Sequence, residues 1–410
     1  MRLLTDIRPL RESADFRRLW LGSTVSQLGQ QMTAVTVSIQ VYALTHSTFA
    51  VGLVGLFSLV PLIVFGLYGG AMADAIDRRT LALISSAGLW LLSMVLVLQS
   101  QLDWGQVGVL YAVVACQSAC FAVNNPARSA IIPRLIRPAL LPAANTLSQA
   151  AFNLGFTAGP LLGAAVIAWH GFAAAYLIDV ITFTAALYAL FRLPPVPPEG
   201  SVRRAGLRSV LEGFSFLRTA PALLATFLAD IFAMVFAQPR ALFPAVAGAF
   251  FGGGVRTVGV LQAAPAIGAL IGVIFSGWVT RVRRQGIAIV LAITAYAAAV
   301  GLFGLSRTIW LGVALLAMSG AADMVSSTYR NTVLQSAAPD AMRGRLQGVF
   351  IVVVAGGPRL GDFVAGTTAS LTSPTIALLG GAAVCITGLL ILLARNRAFR
   401  EYDSRTRALS

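Results

Sequence analysis

Four aspartates stand inside long apolar runs of this 410-residue chain: Asp179, Asp230, Asp323 and Asp362. An ionisable group at membrane depth is costly and is a functional candidate by default. The chemistry open to such a carboxyl is proton uptake and release as its surroundings change. Asp362 also lies three residues from Arg359, a spacing that lets the two pair on one helix face. Uncharged amides accompany these groups. Gln27, Gln31, Gln117, Asn124, Gln149, Asn153 and Gln262 fall in apolar runs too, where they bond neighbouring helices or, with Arg359, line a wet cavity for a polar solute. Gln27 and Gln31 share a helix face, as do Gln149 and Asn153.

A second set of residues is chemically inert and geometrically specific. In LGFTAGPLLG, Leu154–Gly163, the glycines Gly155, Gly159 and Gly163 lie four apart with Pro160 among them. Glycines at that spacing open one helix face to close backbone approach, and the proline removes a backbone donor and bends the helix. A near-copy, GGPRLG, occupies Gly356–Gly361. Two copies of one device predict two related halves.

The elements that must position these groups follow from composition. The chain is 57% hydrophobic and 11% charged, far below the quarter charged of a soluble domain, so it reads as an integral membrane protein. A spanning helix needs roughly 20 mostly apolar residues. That rule gives twelve spans, near 17–44, 49–73, 80–100, 106–126, 141–169, 172–192, 221–245, 255–279, 286–305, 309–330, 346–370 and 374–394. The net charge of +15 comes from arginine alone, and these arginines sit between the apolar runs. They precede the first span and follow every even-numbered one, as at Arg78, Arg128, Arg203, Arg283, Arg343 and Arg397, and only Arg256 and Arg307 break the pattern. The positive-inside rule therefore puts both termini and the middle loop in the cytoplasm, and the charge reads as topology rather than nucleic-acid binding.

The middle loop opens with RLPPVPPEGSVRR, too proline-rich to continue a helix, and Leu207–Leu217 then reads as an amphipathic surface helix. This divides the chain into a bundle over 1–192, a linker over 193–220, and a second bundle with a basic tail over 221–410. Cys116, Cys120 and Cys385 all lie in apolar runs, His46 and His170 beside short loops, and no metal-ligand spacing is visible. The first twenty residues are too polar for a cleavable signal peptide.

After the second span comes GGAMADAIDRR, whose Asp74, Asp77, Arg78 and Arg79 can form a charge clamp at a short cytoplasmic loop. This stretch resembles the loop 2–3 signature of the major facilitator superfamily, with Gly70, Asp74, Arg78 and Arg79 matching and Ala75 and Asp77 departing from it. LGFTAGPLLG resembles the antiporter signature of the superfamily's drug:proton branches, departing only at Ala164. LTHSTFAVGL, NNPARSAIIPRLI, AANTLSQA and LEGFSFLRTAP look like the bacterial siderophore (enterobactin) and drug exporters. SGWVTRVRRQG after the eighth span is a decayed copy of the Gly70–Arg79 loop, and Tyr329–Arg330 mirrors Ala127–Arg128.

The resemblance implies an all-α integral membrane fold of the major facilitator type, with about twelve helices in two six-helix bundles around a central cavity. It implies a proton-coupled exporter of a siderophore or similar small hydrophobic compound in the bacterial inner membrane, working by alternating access. Asp230, Asp323, Asp362 and Asp179 are then the proton-coupling candidates. Gly70, Asp74, Asp77, Arg78, Arg79 and Arg128 form a cytoplasmic gate, and Gly155, Gly159, Pro160 and Gly163 a close helix contact. The expected partners are a small-molecule substrate, protons and the bilayer, for a monomer with no cofactor, metal or nucleic acid. Rival readings are a broad multidrug or macrolide pump and a non-transporting sensor or scaffold. An enzyme would need a converged nucleophile and base, which the sequence does not offer.

Overall fold

The computed structural model describes residues 6–197, 215–337 and 343–403. Within its helices, the side chains of residues 67, 69–71, 73–75, 278, 280–281 and 335–352 lie outside the description. Among the described residues every regular element is helical. Apolar composition and lipid together demand this, because an unpaired backbone amide has no water to bond.

The spanning helices are α1 (Ala14–Thr45), α2 (Thr48–Ala75), α3 (Arg78–Gln101) and α4 (Val107–Leu135). One long helix, Leu141–Phe191, follows; Gly171 breaks it with φ 79°, which glycine alone adopts without strain, into arms α5 (141–170) and α6 (172–191). Then come α7 (Pro221–Phe251), α8 (Val255–Ile274), α9 (Gln285–Phe303), α10 (Ile309–Ala337), α11 (Arg343–Leu371) and α12 (Pro374–Arg395). Most are long and apolar enough to cross a membrane by composition alone. The more polar α1 and α11 complete twelve segments of spanning length.

Terminal chemistry fixes several boundaries. Asp77 caps α3 by accepting from the Thr80 amide at 2.8 Å, and Ser373 caps α12 by accepting from Ile376 at 3.2 Å with Pro374 in the first turn. α7 is irregular. Its α-helix ends at Ile231, a π turn covers Phe232–Phe236, a 3₁₀ turn covers Arg240–Leu242, and regular helix resumes over Phe243–Phe251. Such turns release backbone groups from the regular ladder, often at functional sites.

The chain divides into two compact units, Met1–Leu44 with Phe57–Gly206, and Thr45–Leu56 with Leu207–Ser410. The first part of α2 thus belongs with the second unit, where Thr48 Oγ1 donates to the Gly366 carbonyl of α11 at 3.0 Å. In the first unit, α3 packs on α4 and on the Leu141–Phe191 helix. A buried core of Leu19, Leu81, Val123, Ile131 and Leu190 extends to Leu193 and Val196, just past the end of α6. In the second unit α9 packs on α10 and α12, the same neighbour relations six helices later. The amphipathic helix expected over 207–217 falls, except for its last residues, outside the described residues.

Candidate functional site

The glycine devices are helix contacts in both units. A Cβ placed on Gly155 would meet Gln27 Cγ at 2.8 Å, one on Gly159 would meet Gln31 Cβ at 2.5 Å, and one on Gly163 would meet Met32 Cα at 3.2 Å. These glycines and Pro160 are buried, so α5 lies directly on the α1 face that carries Gln27 and Gln31. In the second unit a Cβ on Gly361 would strike the Met234 carbonyl in the π turn of α7, and one on Gly357 would reach Met234 Cβ at 3.1 Å. The repeated sequence therefore makes a repeated contact, α1 with α5 and α7 with α11.

Between α7 and α10 lies the principal charge cluster of the second unit. Arg330 of α10 pairs with Asp230 of α7, and with Asp323 two turns earlier on its own helix at 3.2 Å. Asp230 is only 4% exposed, whereas the Asp323 side chain is more open. A buried guanidinium between two carboxylates is compensated, and removing one partner leaves a charge in a medium that solvates it poorly. On α11, Arg359 does not pair with Asp362 as their spacing allowed. Its Nη1 turns back to the Ala355 carbonyl, and Asp362 Oδ1 is buried without a hydrogen-bond partner. The side chain's own rotamer makes this choice; both stems lie where the start of α2 presses on α11, with Gly52 and Gly55 against the backbone at Arg359, Asp362 and Phe363.

The first unit arranges its charges differently. Asp179 of α6 is 1% exposed, and Ser93 Oγ of α3 donates to its Oδ2 at 2.7 Å. Gln117 of α4 donates to the same Ser93 at 3.4 Å, while Asp179 Oδ1 has no hydrogen-bond partner. A Cβ on Gly29 of α1 would meet Asp179 Oδ1 at 2.6 Å, so this glycine lets α1 close over the carboxyl. Arg128 of α4 donates to Ser23 at 3.1 Å, Ser26 at 3.3 Å and Ser86 at 3.1 Å. Asn124, one turn earlier, gives its amide to the Ala82 carbonyl, Ser85 and Ser86 and so ties α4 to α3. Gln149 and Asn153 bond each other at 3.1 Å on an exposed face of α5, and Gln262 is half-buried in α8.

At the loop after α2, the described side chains grip carbonyls rather than one another. Arg79 donates to the Leu190 carbonyl at 3.2 Å and the Phe191 carbonyl at 2.6 Å, satisfying the C-terminal end of α6 where a cation is favoured. Arg78 donates to Ala130 of α4 at 3.3 Å. Asp77 Oδ2 accepts from the Val196 amide at 2.7 Å. Partial burial raises the Asp77 carboxyl, but the Thr80 and Val196 hydrogen bonds and the Arg79 charge together hold it below the ordinary value. The loop thus fastens α3, α4 and the chain beyond α6 into one piece. Gly70 and Asp74 lie in the last turns of α2, their side-chain positions outside the description, and Arg128 makes its bonds to serines deeper in the unit.

Residues 4–409 match the family of transmembrane secretion effectors, which spans essentially the whole chain. The chain belongs to that family. It is 28% identical over 401 residues to the enterobactin exporter EntS of Shigella boydii, covering 97% of this chain and 96% of that protein. The EntS of Citrobacter koseri is 27% identical over the same lengths. Among solved structures it is similar in fold to the nucleoside transporter NupG, with TM-score 0.75 at 11% identity over 93% of this chain and 99% of the other. A POT peptide transporter gives TM-score 0.77 at 11% identity over 95% of both chains. This secretion effector is therefore a multi-pass membrane transporter of the major facilitator fold and not an enzyme.

Several residues that carry the effector's polar interior gave little sign in the sequence. Ser86 and Ser93 of α3, Ser23 and Ser26 of α1, and the buried trio Gln40, Gln99 and Tyr176 hold the buried bonds of the first unit. Serine in a membrane helix looks like a small packing residue. The available signal was the seven-residue interval between Ser86 and Ser93, which puts both hydroxyls on one helix face.

Proposed function

We propose that this secretion effector is a proton-coupled exporter, an antiporter that expels a siderophore or similar small hydrophobic compound by alternating access between bundles 1–192 and 221–410. The observation that carries the coupling is the cluster of buried Asp230 and Arg330 with the more open Asp323, beside the separate carboxyls Asp179 and Asp362. A carboxyl whose compensation depends on helix position takes up a proton in one arrangement and gives it back in the other. The export direction and the substrate class rest on the relatives, which are named as exporters of enterobactin. The arginines flanking the spans support an inner-membrane orientation with both termini in the cytoplasm. The protein acts as a monomer. Arg78 and Arg79, bonded to carbonyls of α4 and α6, hold the cytoplasmic end of the first bundle as the gate's fixed side.

The test is flux in proteoliposomes under an imposed pH gradient, with a catecholate siderophore beside a lipophilic cationic dye. Siderophore flux that follows the gradient and fails in Asp230→Asn or Asp323→Asn is expected. Flux indifferent to the gradient, or unchanged when Asp179, Asp230, Asp323 and Asp362 are each replaced by asparagine, overturns coupling. Dye flux equal to siderophore flux makes the protein a broad efflux pump instead.

A further inference from the structure

Near the start of α1 and the end of α6, small residues bring two backbones together. A Cβ on Gly22 would meet Ala189 Cβ at 2.8 Å and Ala186 Cα at 3.2 Å. Such a crossing leaves a crease along its outer side. This one has a volume of about 210 Å³ and is lined by Arg18, Leu21, Gly22 and Val25 of α1 and by Ala185, Tyr188 and Ala189 of α6. Leu21, Val25 and Tyr188 are exposed, on a different face of α1 from Ser23 and Gln27. One end of the crease is basic. Arg18 lies in its wall, and Arg192, just past α6, stands over the Tyr188 ring at 5.4 Å. Both arginines are exposed. Arg18 Nη1 also donates to Asp15 at 3.0 Å, which takes one of the five N–H groups of the guanidinium. Two guanidiniums and one carboxylate leave this end positive. An arginine so placed lays its apolar stem along the crease and keeps its charge at the membrane surface.

We propose that this crease binds one anionic glycerophospholipid, with an acyl chain along Leu21, Gly22 and Val25 and the phosphate between Arg18 and Arg192. The guanidinium fork matches a phosphate, and a ring such as that of Tyr188 sits at headgroup level in a membrane. Basic pockets between spanning helices on the cytoplasmic side take such headgroups, and the flanking arginines mark this end of α1 and α6 as that side. The open apolar wall suits a chain that runs along it, where a polar solute finds no further partner. Bound there, the lipid straps α1 to α6 from outside. Further along the span the same two helices meet at Gly29 and Asp179, so the strap holds the end that this contact leaves free. The inference goes beyond the export reading and needs neither proton coupling nor a siderophore.

The experiment is native mass spectrometry of the purified full-length protein, titrated in detergent with phosphatidylglycerol and phosphatidylcholine of identical acyl chains. One phosphatidylglycerol retained about fivefold or more over phosphatidylcholine is expected, the effect of one net basic residue near a headgroup. Arg18→Gln with Arg192→Gln should remove that preference. Arg283→Gln with Arg284→Gln, which takes the same charge from an exposed loop elsewhere, should leave it intact. Ala185→Phe fills the crease and keeps both arginines, and it should lower phosphatidylglycerol retention to the level of phosphatidylcholine; thermal melting checks that each variant folds. Equal retention of the two lipids overturns the proposal. So does a control pair that lowers the preference as much as the crease pair, which makes it surface charge alone, or full retention in folded Ala185→Phe. A phosphatidylglycerol with a diazirine on its acyl chain tests the place without any substitution. It should label the peptides that hold Leu21–Val25 and Ala185–Ala189, and labelling only elsewhere sinks the site.

Discussion

Arg128 and Arg330 occupy mirrored places, the fourth helix of one unit and the tenth of the other, and are treated oppositely. Arg330 is closed in by Asp230 and Asp323. Arg128 is held by three serines and faces a cavity. The carboxyls show the same contrast, since Asp179 in the first unit meets hydroxyls and no arginine. Ser86 bonds Arg128 and Ser93 bonds Asp179, and two turns of α3 hold these serines about 10 Å apart. At these buried positions the first unit keeps Arg128 and Asp179 single and spaced, while the second gathers Asp230, Asp323 and Arg330 into a cluster. A repeated fold therefore does not impose a repeated electrostatic design. A handful of side chains on the same helix framework decides whether a buried charge is compensated by carboxylates or held by hydroxyls alone.

The sharpest way to break the contrast is Asp230→Ala, which leaves Arg330 with the more open Asp323 alone. A loss of about 3–5 kcal/mol is expected, read as a lower melting temperature in detergent, and transport should cease. Replacing Asp230 with leucine and Arg330 with methionine together should recover stability and leave transport dead, separating the pair's structural part from its functional one. Next in size are the two glycine contacts. Gly361→Ala drives a methyl group onto the Met234 carbonyl, which is backbone, whereas Gly159→Ala first meets the Gln31 side chain. Overpacking should cost about 1–3 kcal/mol at Gly361 and less at Gly159, while Gly159→Leu should stop transport by holding α1 away from α5. Flux measured on the three proteins checks the order.

Asp179→Asn should change stability by about 1 kcal/mol or less, since an amide oxygen can still accept from Ser93. Its expected effect is on the gradient dependence of flux, and full coupling in this variant would assign proton carriage to the second unit alone. Smallest is the loop cap. Asp77→Ala should cost about 1 kcal/mol, and Asp77→Asn less. Because the folded carboxyl titrates below its ordinary value of about 3.9, its stabilising contribution is complete above that range and is lost as pH falls through the lowered value. Amide exchange at Thr80 measured down the acid range should show the loss in the natural protein and not in Asp77→Ala.

Much of the framework was legible because lipid leaves the backbone few choices. The break between the fifth and sixth spans, expected between 169 and 172, falls at Gly171, and the GPLLG and GPRLG copies make corresponding contacts. Side-chain pairing was less legible, since it depends on rotamers and on which helices meet rather than on local spacing. Arg359 and Asp362 are well spaced to pair and do not. Arg330 reaches Asp230 across a hundred residues at the turn where α7 leaves regular α geometry. Asp77 departs from the superfamily's loop pattern, and it proves to be the helix cap that binds the chain beyond α6.

α2 is one unbroken helix that belongs to both units, its first part to the second and the stretch from Phe57 to the first. Pro61 has no amide to offer the Phe57 carbonyl, so the ladder lacks a rung in the turn where the helix passes between them. The next carbonyl, of Ser58, accepts from the Ser118 hydroxyl of α4 at 2.7 Å and pins the first-unit side. In mechanical terms α2 is a beam whose softest section lies just past the change of unit at Phe57. Bending along α2 is therefore least resisted by its own backbone ladder in that turn.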